Sequence, residues 1–158
     1  TILVLFRAVA VAFPAGIIIW LLANISVGEN NILSCITTLF APLGKFMGMD
    51  GETLSAFFLG IPANEIVLPI TLMSYLGAEE MISIENATLI GEILENNGWT
   101  YLTAICYIIF SVVHFPCATA LLTIYKETKS FKWTALSFAI PTILGIVLCC
   151  FINIIGNI

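Results

Sequence analysis

A glutamate stands inside an apolar stretch, flanked by helix breakers: Gly60-Ile61-Pro62-Ala63-Asn64-Glu65-Ile66-Val67-Leu68-Pro69. An ionised carboxylate at the centre of a bilayer costs about 2.5–3.5 kcal/mol on insertion scales, so it is expected to face protein or water. Proline removes a backbone donor and clashes with the preceding turn, which predicts interruptions of the helix at both Pro62 and Pro69. Broken backbone at membrane depth persists where it is buried in protein or lines a cavity. Glu65 and Asn64 are therefore candidates for a substrate path. A packed or snorkelling carboxylate is the plainer alternative for Glu65.

A second polar cluster occupies another apolar run, Ser111-Val112-Val113-His114-Phe115-Pro116-Cys117-Ala118-Thr119. Pro116 lacks an N–H and frees the carbonyl of Val112. Helical spacing predicts His114 and Cys117 on one face, continued by Tyr107 and Ser111. Thiolate and imidazole favour softer transition metals over Mg²⁺ or Ca²⁺, with Glu65 adding charge compensation. For His114, a hydrogen bond to a neighbouring helix is as good a reading as ligation. For Cys117 alone, packing is the better reading, and its place directly after Pro116 sets it apart. Cys35, Cys106, Cys149 and Cys150 read as small buried hydrophobes and Met73 as gap filler.

Four apolar stretches must position these groups. Ala8 to Ile25 is long enough to span and carries a soft point at Pro14-Ala15-Gly16. Leu54 to Leu76 is the broken segment, either a full crossing or a re-entrant or half-helix segment. Tyr101 to Tyr125 is a full span with aromatic residues Trp99, Tyr101 and Tyr125 at its two ends. Trp133 to Ile155 is the last span, with an expected interruption at Pro141. Ile32 to Leu43 is too short to cross and suits an interfacial or re-entrant helix. The Asp50-Gly51 turn leads into a helix start at Thr53-Leu54-Ser55. The stretch 77–98 carries Glu79, Glu80, Glu85, Glu92 and Glu95 without a base, and a short surface helix is expected there.

Composition sets the class. Of 158 residues, 60% are hydrophobic and only 9% charged, with a mean hydropathy of +1.09. So few charges cannot solubilise so much apolar surface, which makes this an integral membrane protein. The expected fold is all-α, with about three to four transmembrane helices, one broken or re-entrant helix and short interfacial helices in a single membrane domain over 1–158. Net charge −5 and the lack of a basic patch argue against nucleic acid. The cysteine spacing suits neither a disulfide framework nor a metal finger. The phosphate-loop, H-E-x-x-H and G-x-S-x-G patterns are absent, so the chain reads as a non-enzyme. Lys126, Lys129 and Lys132 crowd the link between the last two spans, which places that link in the cytoplasm and the acidic stretch outside. With Arg7 also inside, the re-entrant reading of 54–76 is slightly favoured. The start at Thr1, without Met, suggests a fragment of something longer.

The proline-flanked run at 60–69, then Phe115-Pro116-Cys117-Ala118-Thr119-Ala120, then Lys126-Glu127-Thr128-Lys129-Ser130-Phe131-Lys132-Trp133, resembles the C-terminal membrane portion of bacterial ferrous iron transport protein B. The opening from Arg7 to Ile25 is similar to the span that begins that region. The resemblance covers nearly the whole chain and implies the second Gate half of an inner-membrane, multi-pass Fe²⁺ uptake transporter. It implies that Cys117, in the proline–cysteine motif, lines the path. His114 has no matching family position, and its role rests on the residues alone. Partners implied are the bilayer, an N-terminal GTPase domain and a first Gate half of the same polypeptide, ferrous iron transport protein A and a homo-oligomer. Fe²⁺ would be cargo, with no cofactor in this chain. Two other readings stay open: a Gate-type transporter of nucleosides or another small molecule, and a helical assembly module whose polar groups act as interhelical glue.

Overall fold

The computed structural model describes residues 30–76 and 87–157, with positions 9, 13, 14, 16, 17, 21, 26 and 27 before them. The expected first span lies almost wholly outside the described residues, as does the first half of the acidic stretch. A minimal antiparallel ladder pairs β1 (Ser26–Val27) with β2 (Asn30–Asn31). Among the described residues, every regular element after it is a helix.

Helix α1 (Ile32–Phe46) ends with Lys45 in its last turn, which complements the negative end of the helix dipole. Its terminal carbonyls are also satisfied from far along the chain: Asn153 Nδ2 donates to Lys45 O at 3.0 Å and Phe46 O at 3.2 Å. Asp50 then caps α2 (Gly51–Leu59), its Oδ1 accepting the Thr53 N–H at 3.1 Å. The helix therefore starts two residues before the predicted Thr53. Gly51 is required there, because a Cβ would meet the Ala41 backbone of α1 at 2.9 Å.

The broken segment breaks as expected, at one proline rather than two. Gly60 caps α2, Pro62 follows in the turn, and Asn64–Ile66 form a single 3-10 turn before α3 (Val67–Leu76). Pro69 is the third residue of α3. At that position the N–H has no intrahelical partner, so Pro69 opens the helix instead of interrupting it. The two arms fold back against each other, and Tyr75 near the end of α3 returns to Asp50 at the start of α2. This segment is a helical hairpin.

Helix α4 (Ala87–Asn96) is the surface helix expected within the acidic stretch. Thr100 caps α5 (Tyr101–Val113) through the Thr103 N–H at 3.2 Å. Residues 114–117 are non-helical, and α6 (Ala118–Thr128) follows. Lys129 turns the chain in the left-handed region, φ 51°, so only Lys129 and Ser130 link α6 to α7 (Phe131–Gly156). Lys126 and Lys132 sit in the flanking helix turns rather than in a loop between Tyr125 and Trp133.

Both α5 and α6 pack along α7. Leu102 lies against Gly156, Phe110 against Gly145, and Phe115 stacks on Phe138 with ring centroids 4.9 Å apart. The pairing runs antiparallel, with α5 and α6 end to end as one broken rod. A Cβ at Gly145 would lie 3.0 Å from the Phe110 ring, so glycine sets this approach. Contrary to the expectation from Pro141, α7 is continuous. Its neighbours grip it on both sides of the proline, at Phe138 and Gly145, while the Ser137 and Thr142 hydroxyls turn back onto carbonyls of the same helix. At about 1.5 Å per residue, α7 exceeds the thickness of a hydrocarbon core. Among the described residues, 101–128 (taken across the break) and 131–156 are long and apolar enough to cross a membrane, with mean hydropathies of 2.0 and 2.5.

Candidate functional site: two helix breaks in contact

Each break has a local cause. Pro116 forbids the helical ladder and biases Phe115 toward extended backbone. His114 ends α5 in an extended conformation, ψ −179°, and Cys117 is the N-cap of α6, ψ 160°. His114 and Cys117 therefore do not share a helix face, because no helix joins them. The Pro62 turn is the tip of the α2–α3 hairpin.

The two breaks meet. The first N–H of α6, on Ala118, donates to the carbonyl of Ile61 at 2.8 Å. A backbone donor at the positive end of one half-helix thus satisfies an acceptor freed by the turn beside Pro62.

Around this crossing lie the predicted residues, in different circumstances. Cys117 is half-buried, makes no capping bond through its side chain, and has its Sγ 3.0 Å from Thr119 Oγ1. Asn64 Oδ1 is buried without a hydrogen-bond partner among the described residues. Glu65, on the 3-10 turn, is exposed. The structure joins the two backbone breaks without bringing the Glu65 carboxylate into the buried part of the crossing.

His114 is 7% exposed, packed among Phe115, Phe57 and Phe110 with centroids 4.8, 5.1 and 5.6 Å away. Its Nδ1 lies 2.9 Å from the Ser111 carbonyl. A carbonyl only accepts, so Nδ1 carries a proton, and in the neutral ring the lone pair is on Nε2. That Nε2 is buried without a partner among the described residues. Orientation by a backbone carbonyl is the usual preparation of a ligating imidazole, and the phenyl surround equally makes His114 a core residue. Among the described residues, no three of His, Cys, Asp and Glu group closely enough to hold a metal ion.

The remaining cysteines follow the packing expectation in part. All five are free; Cys106 and Cys149 are buried between α5 and α7, each with its thiol toward the other's carbonyl, whereas Cys35 is exposed.

Sequence reasoning missed a polar node at the open end of the hairpin. Asp50, Thr53, Tyr75 and Trp99 converge there, beside a cavity of about 580 Å³ that Lys45 and Glu52 also line. Trp99, expected at the end of a span, gives its indole N–H to Tyr75. Burial raises the pKa of the Glu52 carboxyl, opposed by a hydrogen bond with Ser74 and assisted by the nearby Asp50 charge. The available signal was Asp50, whose cap on α2 left a second carboxylate oxygen to be filled.

A model of the Gate family, described as nucleoside recognition, matches residues 5–131. The chain is 31% identical over 146 residues to the Fe(2+) transporter FeoB of Staphylococcus aureus (strain COL), covering 86% of this chain and 20% of that protein. It is 30% identical over 128 residues to the Fe(2+) transporter FeoB of Methanocaldococcus jannaschii, covering 81% and 18%. The corresponding protein of Synechocystis is 26% identical over 130 residues, covering 80% and 20%. The chain spans about a fifth of the length of these curated relatives. No solved structure matches.

Proposed function

The chain belongs to the Gate family, and on that footing we propose that it forms part of the cation path of a ferrous iron uptake transporter. The observation that carries the proposal is the Ala118–Ile61 hydrogen bond, which brings two helix breaks together with a thiol, a bare imidazole nitrogen and an unpaired amide oxygen nearby. Relatives named as Fe(2+) transporters supply the substrate class. Cys117 binds the passing ion as thiolate, its proton displaced as the cation arrives. Asn64 Oδ1 and His114 Nε2 are transient oxygen and nitrogen donors, and Glu65 supplies negative charge at the mouth of the break. A set of weak, separated donors suits passage, because a site that binds too well does not release.

In this reading the chain spans a bacterial inner membrane several times. The lysine-bearing α6–α7 link is cytoplasmic and α4 external. The α2–α3 hairpin then enters from outside and returns, its tip reaching the break between α5 and α6. The chain itself does no enzymatic work; GTP hydrolysis, a first Gate half, ferrous iron transport protein A and further copies of the protein are contributions from beyond it.

The family description favours a second reading, passage of a nucleoside. Uptake of radiolabelled ferrous iron into cells expressing the natural gene product, with excess nucleoside as competitor, separates the two. Saturable iron uptake that nucleosides leave unchanged is the expected result; nucleoside uptake with no iron uptake would replace this reading with the second.

A further inference from the structure

One phenolic oxygen joins three parts of the chain. Tyr75 donates its only proton to Asp50 Oδ2 at 2.5 Å. Its oxygen accepts the Trp99 indole N–H at 2.7 Å. Thr53 Oγ1 lies 3.2 Å away and must be the donor of that contact, since the phenolic proton is committed to the carboxylate. The start of α2, the end of α3 and the approach to α5 are tied through this atom.

The other end of the hairpin is tied by Ala118 to Ile61. Between the two ties the contacts are apolar, with Phe57 against Tyr107 and Phe110 at centroid distances of 5.3 and 4.8 Å. The hairpin is therefore pinned at both ends of α5: at Trp99, just before it begins, and at Ala118, just after the break that ends it. Ring contacts tolerate sliding far better than hydrogen bonds do, so the directional ties set the register. The outer tie borders the cavity of about 580 Å³. Bonds beside a water-accessible space exchange for bonds to water at little net cost, which makes such a tie reversible.

We propose that Tyr75 is a positioning residue: its clasp on Asp50 and Trp99 sets where the hairpin tip docks on α6, and thereby how far Cys117 is open to water. The meaning of this clasp for transport rests on the proposed cation path, but its test does not. The natural gene product in its membrane is treated with a water-soluble maleimide in the absence of iron. Alkylation of the Cys117 peptide is followed by mass spectrometry, with the exposed Cys35 as internal reference. Tyr75→Phe removes the node, and Trp99→Phe removes only the indole N–H. Both are expected to speed Cys117 alkylation, Tyr75→Phe by about fivefold, the change in an open–closed ratio that one lost hydrogen bond brings, with Cys35 unchanged. A general misfolding of Tyr75→Phe would also open the buried Cys106 and Cys149 to the reagent, and Trp99→Phe then decides. Cys117 alkylation at the wild-type rate, or no alkylation of Cys117 at all, in the deciding variant overturns the proposal. Because no iron is present, that failure is distinct from a failure of the transport reading.

Discussion

The backbone N–H of Ala118 bonds to the carbonyl of Ile61 at 2.8 Å, so the hairpin turn at Pro62 and the helix break at Pro116 form a single crossing. Each proline leaves backbone groups unpaired, and an unpaired group in an apolar surround costs several kcal/mol. Meeting each other lowers that cost for one donor and one acceptor. Asn64 lies on the turn that follows Ile61, and His114 and Cys117 lie on the break before Ala118.

If the cation passes this crossing, its ligands differ in kind from the packing cysteines. Cys117→Ser is expected to lower ferrous iron uptake by about tenfold, the scale on which changes around a metal site act. Cys106→Ser and Cys149→Ser, whose thiols are buried between helices, should leave uptake near the wild-type level at equal expression. Glu65→Gln should lower uptake while membrane insertion stays intact, because removing the charge eases insertion. Equal uptake by all four variants would remove the crossing from the path.

Membrane orientation makes a separate prediction. A cysteine introduced at Lys129, in a variant lacking the native five, should resist an impermeant thiol reagent in intact cells, whereas one at Asn97 should react. The reverse pattern would invert the topology and place the hairpin mouth inside.

Helix packing is tested at Gly145. Its missing Cβ leaves room for the Phe110 ring at 3.0 Å, so Gly145→Leu should push α5 away from α7. A loss of about 1–3 kcal/mol is expected, the usual range for overpacking, read as a lower midpoint of thermal unfolding in detergent. An unchanged midpoint would mean that α5 and α7 do not depend on this approach.

The Glu52 carboxyl gives a pH-dependent stability. Burial raises its folded-state pKa above the ordinary carboxylate value, so the folded protein holds the proton more tightly than the unfolded one. Its destabilising contribution is absent below the unfolded pKa and complete once pH has risen past the folded pKa. Glu52→Gln should therefore raise the unfolding midpoint at neutral pH and change it little in acid. A gain of the same size at both pH values would show that the charge is not responsible.

Local backbone chemistry was legible in the sequence. Pro62 and Pro116 end helices because a proline cannot donate and crowds the preceding turn, and that needs no knowledge of neighbours. The apolar runs of the last two spans likewise declare a membrane class, while the runs at 60–69, 115–120 and 126–133 carry the Gate resemblance. The same rule failed at Pro69 and Pro141 because the outcome there depends on context. Pro69 fell in a first turn where no donor was needed, and Pro141 is held in a continuous helix by contacts on both sides. Helical spacing put His114 with Cys117, whereas the break separated them and phenyl rings from two helices enclosed the imidazole. Charge placement leaned toward a segment 54–76 that enters and returns, but spacing did not reveal that Tyr75 meets Asp50 and Trp99, or that Ile61 meets Ala118. Where a chain must break is a short-range steric matter, carried by the residue and its immediate neighbours. Which breaks meet is a matter of satisfying unpaired donors and acceptors across segments far apart in sequence, and only the packed structure decides it.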